Sequence, residues 1–181
     1  MHGWDVKKIV RRFDVIAGER IGRLPLGWFR WLSILCVIAS PFGWAMVMLA
    51  GASLAWQQSM YSLVWLSIGM LAALPFTELI KLLIRRPRPV SFYAQTMRIR
   101  SYSFPSSHAY GASIGGGYVI VSLSQFTSGI ELYIAAVALA LLAVLVAVAR
   151  VYLRAHFPSD VVAGLLAGVV VTILVSVSTE F

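Results

Sequence analysis

An all-helical bundle that crosses a membrane about five times is the fold class this sequence predicts, and three observations predict it. Sixty per cent of the residues are hydrophobic and only 12% are charged, far from the balance of a soluble domain. The mean hydropathy is +0.84. The apolar residues also fall in long blocks, with the polar ones gathered into short stretches between them. At 181 residues the chain is sized for a single domain, read here as one membrane domain over 1–181 without internal repeats or low-complexity tracts.

Residues 5–21 are too polar to span, but they are patterned. Val6, Ile9, Val10, Phe13, Ile16, Ala17 and Ile21 recur at helical spacing, with Lys7, Lys8, Arg11, Arg12 and Arg20 largely between them. The pattern predicts a basic amphipathic helix lying in the membrane interface. Charges throughout the first thirty residues argue against a cleaved signal peptide. Residues 28–50 form the first expected span, entered by Trp28 and Trp31 at headgroup level. Pro41 within it predicts a kink, since neighbouring helices can satisfy the freed carbonyl.

After a neutral loop around Gln57 and Gln58, residues 61–84 form the second span. As a helix it is about 36 Å long, enough to project beyond the hydrocarbon, and Thr77, Glu78 and Lys81 sit in its last turns. Residues 85–104 make a polar loop rich in arginine, proline and aromatic residues, and long loops of this kind are usually functional or disordered. The third span covers 105–124, where Gly111, Gly115, Gly116 and Gly117 permit close helix contact. The fourth covers 132–149. The fifth covers 160–177, with Gly164 and Gly168 as a packing face.

Five spans put the termini on opposite sides and collect all fifteen Lys and Arg residues on one of them. The other side carries only Glu131 and Glu180. The positive-inside rule makes the basic side cytoplasmic, which predicts an integral protein of a cell membrane, a bacterial inner membrane being the expected one. The net charge of +8 is explained by the membrane surface, and no soluble basic groove is present to take nucleic acid. The single cysteine, Cys36, excludes an intrachain disulfide and a multi-cysteine metal site.

Three polar clusters converge on the basic side. They are Lys81 to Arg88-Pro89, then Pro105-Ser106-Ser107-His108, then Arg150 through His156 to Asp160. Lys81, Arg88 and Arg150 are permanent cations suited to the oxygens of a phosphoryl group. Ser106, Ser107 and the first free N–H groups of the third span form an anion site at a helix start. An imidazole with a carboxylate four residues on, His156 and Asp160, can be held in one tautomer. Blander readings compete: His108 as a polar helix-start residue, and Lys81 and Glu78 as an ion pair without a binding role. Arg85, Arg86, Arg98, Arg100 and Arg154 read as headgroup or surface contacts, and Tyr93, Tyr102 and Phe104 as interfacial anchors.

Lys, six residues, Arg-Pro; Pro-Ser-x-His; and Arg, five residues, His, three residues, Asp: in this order the pattern resembles the type 2 phosphatidic acid phosphatase family of membrane lipid phosphatases. Its signature is shared with soluble acid phosphatases and vanadium haloperoxidases, and the apolar spans argue against the latter. The resemblance covers residues 81–160, with two departures. Ser107 stands where the family usually has glycine, and Ala149 where a serine commonly precedes the arginine. Ser107 either crowds a turn or adds a hydrogen bond; Ala149 removes a hydroxyl.

The resemblance implies that His156 attacks phosphorus to give a phosphohistidine, that Asp160 orients its ring, and that His108 protonates the leaving oxygen and then activates water. It implies Lys81, Arg88, Ser106, Ser107 and Arg150 as phosphate ligands, with no metal and no cofactor. The expected substrate is a lipid phosphate of the phosphatidylglycerophosphate or phosphatidic acid type, its chains kept in the bilayer. Alternatives are an undecaprenyl diphosphate phosphatase, a lipid phosphotransferase and a non-catalytic lipid binder. Oligomeric state is left open.

Overall fold

The computed structural model describes residues 5–96 and 101–179; Arg98, Arg100 and Glu180, placed above from sequence, lie outside the described residues. The described residues form nine helices: α1 (Val6–Gly22), α2 (Trp28–Ile38), α3 (Pro41–Gln57), α4 (Tyr61–Ala73), α5 (Phe76–Ile84), α6 (Phe92–Thr96), α7 (Ser107–Leu123), α8 (Ile130–Tyr152) and α9 (Pro158–Ser178). The all-helical membrane fold expected from the apolar blocks is the fold observed.

Prolines cut two of the expected spans into pairs. At Pro41 the kink becomes a break, and α2 and α3 meet at 41°. Proline has no N–H to continue α2 but suits the first turn of α3, where the Ser40 hydroxyl caps the Gly43 N–H at 3.2 Å. Pro75 interrupts the second span between α4 and α5 more gently, and Tyr61–Ile84 still runs as one 24-residue stretch. The freed Ala73 carbonyl is not left bare, because the Tyr110 hydroxyl donates to it at 2.8 Å.

Among the described residues, three stretches are long and apolar enough to cross a membrane: Tyr61–Ile84, Ile130–Tyr152 and Pro158–Ser178. The bent pair α2–α3 adds a fourth if it forms one span. The remaining expected span is α7. At 17 residues, about 25 Å, it is shorter than the others. It packs against α3, α4, α8 and α9 and carries fully buried Tyr110 and Ile114. A helix sheathed by protein does not need to match the hydrocarbon alone. Side-chain register runs α3, α7 and α9 in one direction: Pro41 meets Gly111, Trp44 meets Gly115, and Thr172 meets Gly117. α4–α5 and α8 return.

The seam between α7 and α9 brings backbone against backbone. A Cβ at Gly164 would lie 2.6 Å from the Ser106 carbonyl oxygen, and one at Gly168 would lie 2.9 Å from that of Tyr110. Real Cβ atoms do not approach backbone that closely, so only glycine lets α9 lie against the start of α7. That contact sets the height of Ser106 against Asp160, whose carbonyl accepts the Ser106 N–H at 3.0 Å.

α1 does not float free on the surface. Its one buried side chain, Asp14, holds it to α9, while Val6, Ile9, Phe13 and Ile16 stay exposed. A Gly164→Ala variant is expected to force α7 and α9 apart and lower the thermal unfolding temperature in detergent by several degrees, as for an overpacked core. A melting curve superposing on wild type would show that the seam is softer than its geometry.

Candidate active site

The end of the bundle that carries α1 also holds a cavity of about 260 Å³. It is lined by Glu78 and Lys81 from α5, Arg88 and Ser101 from the connecting segment, and Ser107 and His108 from α7. Arg150 from α8, His156 from the loop after it, and Pro41 at the α2–α3 break complete the wall. Helix ends at one depth thus bring together residues separated by tens of positions.

His156 is placed by the way α8 ends. Arg154 takes a left-handed conformation (φ 50°), uncommon for a side chain with a Cβ, and the chain reverses there. The Ala155 and His156 N–H groups then donate back to the Arg150 carbonyl at 3.0 and 3.3 Å. The ring is buried, with Nδ1 2.7 Å from the Ser103 carbonyl oxygen and Nε2 2.9 Å from Arg88 Nη1. A carbonyl only accepts and a guanidinium only donates. Nδ1 therefore carries the hydrogen and Nε2 presents a lone pair. Burial, first, and the charges of Arg150 and Arg88 push His156 down to about 4 from its ordinary 6.5, so the imidazole is neutral at pH 7.

Asp160 sits differently from the expectation. Its Oδ2 is 3.7 Å from His156 Nδ1, beyond hydrogen-bond distance. The carboxylate instead accepts from the Phe157 N–H at 2.9 Å through Oδ2 and from Arg86 at 2.6 Å through Oδ1. It braces the turn that follows the histidine, while the Ser103 backbone takes the ring hydrogen. Ser106 is likewise behind the cavity rather than in its wall. It is buried as the N-cap of α7, its hydroxyl accepting from the Ala109 N–H at 3.4 Å.

The other expected residues face the cavity together. Lys81 Nζ lies 2.7 Å from Glu78 Oε1 and 2.5 Å from Ser107 Oγ, and Ser107 donates to the same Glu78 oxygen at 2.8 Å. The ion pair weighed from sequence thus exists, and it lies inside the cavity wall. Ser107, the departure from glycine, gains a hydrogen bond without crowding the turn. Arg88 uses four of its five N–H donors, giving to the Ser101 carbonyl (2.7 Å), the Ser101 hydroxyl (2.9 Å) and the Ala155 carbonyl (2.8 Å) besides His156. Burial and the neighbouring Arg150 lower Arg88 to about 10, which leaves it cationic at neutral pH. Arg150 is buried with its Nε unpartnered, a donor that fits an anionic oxygen.

Sequence reasoning missed four participants. Tyr93, expected at the interface, is buried with its ring 5.6 Å from the Arg150 guanidinium and its hydroxyl 3.3 Å from Nη1. Arg86, expected as a surface contact, is instead a fork between two carboxylates, reaching Asp160 and Asp14 at 2.6 Å each. It also lies 4.2 Å over the Phe157 ring. Asp14 is the third, and the fourth is the Ser103 carbonyl. An acidic residue inside a basic amphipathic helix was the available signal for Asp14; a backbone carbonyl leaves none.

A model of the PAP2 superfamily matches residues 62–180, the greater part of the chain and all of the cavity-lining residues except Pro41. The chain belongs to the PAP2 superfamily. Its long apolar helices make it an integral membrane member of that superfamily, and its fold has a solved counterpart. The structure described as the first transmembrane PAP2 type phosphatidylglycerolphosphate phosphatase, from Bacillus subtilis, aligns with a TM-score of 0.78 at 21% identity, over 95% of this chain and 87% of that one. Comparison with curated proteins finds no match.

With the folded value of His156 below its ordinary 6.5, protonation opposes the native site. Stability is full above pH 6.5 and falls as pH drops toward 4. Thermal unfolding at pH 7 and pH 4.5 is expected to show a drop that His156→Gln reduces. Equal drops in both proteins would mean that the histidine is protonated without cost.

Proposed function

We propose that this protein hydrolyses the terminal phosphate monoester of a membrane lipid, through a phosphohistidine on His156 and without a metal. The observation that carries the reading is the neutral Nε2 of His156 presented to a cavity walled by Lys81, Arg88 and Arg150. Phosphoryl transfer needs little from a protein beyond an aligned nucleophile and fixed charge for the equatorial oxygens. The three cations supply that charge. A divalent ion would find only Glu78 among the carboxylates of the wall, and that one is already paired.

In the first step the Nε2 lone pair forms the N–P bond while the bond from phosphorus to the lipid oxygen breaks. Arg88 leaves Nε2 and follows a phosphoryl oxygen, and the unpartnered Nε of Arg150 takes another. His108, in the same wall, gives the leaving oxygen its proton. In the second step it takes a proton from water, which attacks phosphorus and breaks the N–P bond. Ser107 and the first N–H groups of α7 complete the anion site. Asp160 acts at one remove, by holding the turn at Phe157, and Ser106 by capping α7.

The substrate we favour is a glycerolipid phosphomonoester such as phosphatidylglycerophosphate or phosphatidic acid. The site lies at the basic end of the spans, which the positive-inside rule assigns to the cytoplasm. The PAP2 type neighbour named above supports the first of these lipids. Glu78 favours a monoester over an isoprenoid diphosphate, because a carboxylate in the wall opposes each added negative charge.

Purified protein in detergent with excess EDTA is expected to release phosphate from phosphatidylglycerophosphate or phosphatidic acid faster than from undecaprenyl diphosphate. His156→Ala should abolish release, and His108→Ala should slow it about 10²–10⁴-fold. Release that stops with EDTA would remove the metal-free route; a second phosphorylated lipid in place of free phosphate would make the protein a transferase. Glu78→Gln is expected to raise the diphosphate rate relative to the monoester rate by several-fold. An unchanged ratio would exclude Glu78 as a selectivity residue.

A further inference from the structure

Arg86 and Asp14 have no part in the chemistry above, yet they form a densely bonded polar contact outside the cavity. Arg86 Nη2 meets Asp14 Oδ2 at 2.6 Å, while Nη1 meets Asp160 Oδ1 at 2.6 Å and Ser159 Oγ at 2.7 Å. Asp14 also accepts from the Ser159 N–H at 2.8 Å and the Ser159 hydroxyl at 2.9 Å. One side chain of α1 thus holds the first turn of α9 from two directions. The turn it holds is the one that follows His156.

Another face of α1 is shaped for something else. Val6, Ile9, Phe13 and Ile16 are exposed along an apolar strip, with Lys7, Lys8, Arg11, Arg12 and Arg20 around it. Asp14 is the only buried side chain of α1, and the helix lies against α8 and α9 where the bundle ends. An apolar strip bordered by cations, held at the level where apolar spans stop, matches the surface of a bilayer containing anionic lipid.

We infer that α1 couples an anionic lipid surface to catalysis: it seats on the bilayer and, through Asp14 and Arg86, holds the His156 turn in the reactive position. Asp14 and Arg86 are positioning residues. They act through Asp160, Ser159 and Phe157 and touch neither the substrate nor the reacting atoms. This inference rests on His156 as the nucleophile, so it needs one readout from catalysis and one that is independent of it.

Full-length wild type, Asp14→Asn and Lys7→Gln/Lys8→Gln/Arg11→Gln would be reconstituted in vesicles of phosphatidylcholine alone or with about a quarter phosphatidylglycerol. Phosphate release would be followed on a short-chain lipid phosphate. Wild-type kcat is expected to rise several-fold with the anionic lipid at constant KM. The triple variant should lose most of that rise but keep its rate in phosphatidylcholine. Asp14→Asn should lose about tenfold in kcat in both vesicles, with KM within about twofold and the unfolding temperature retained. The independent readout is the His156 Nδ1–H proton resonance, identified by its loss in His156→Gln, which should exchange with water faster in Asp14→Asn. A wild-type rate indifferent to lipid charge, or an Asp14→Asn protein with normal kcat and normal proton exchange, overturns the inference. If wild type releases no phosphate in any vesicle, the hydrolase reading fails; the proton-exchange result then decides whether Asp14 positions the histidine.

Discussion

Bringing α7 and α9 into backbone contact is the constraint from which the rest of this structure follows. Gly164 and Gly168 remove the side chains that would separate the two helices, and the Ser106 N–H reaches the Asp160 carbonyl. Because Asp160 also fixes the turn after His156, one seam sets the relative height of the Pro-Ser-Ser-His start and the histidine loop. Neither cluster can shift without straining the other. The apolar parts of the bundle are tolerant by comparison, since contacts among leucine, valine and alanine accept small slips that polar atoms at fixed distances do not.

Charge is handled here by division of labour. Each cation near the cavity has at least one partner that is not water: Glu78 and Ser107 for Lys81, Ser101 and Ala155 for Arg88, Tyr93 for Arg150. Isolated charges at this depth would carry a large desolvation penalty, and these partners offset part of it. What remains unsatisfied is small and directional, chiefly the Nε of Arg150 and the lone pair that Arg88 covers on His156. An anion entering the cavity meets donors already oriented and needs little rearrangement beyond Arg88.

Much of this was legible in the sequence because it is written in side-chain identity and spacing. The apolar blocks gave the helices, the glycines at 164 and 168 gave a packing face, and the three clusters held six of the nine residues that line the cavity. What escaped is of another kind. Pro41 and Pro75 were both visible, but whether a proline kinks or breaks a helix depends on which neighbour satisfies the freed carbonyl, here Tyr110 for Ala73. Arg86 looked like any other arginine in a basic loop, since its acidic partner lies 72 residues earlier. The ring hydrogen of His156 goes to the backbone of Ser103, and no spacing of side chains reports that a carbonyl stands there while the carboxylate four residues on stops 3.7 Å away.

Glu78 has a consequence for turnover. On the hydrolase reading proposed above, a cavity that takes the phosphate of a lipid would hold the same group once it is severed, and a tight grip on inorganic phosphate would leave the site occupied between cycles. Lys81 and Ser107 keep a built-in replacement ligand within 3 Å, because Glu78 reaches both at 2.7 and 2.8 Å. As the severed anion loosened, the carboxylate would return to the lysine and close its place. On that reading the residue proposed to oppose extra charge on the way in would also shorten the stay of product on the way out.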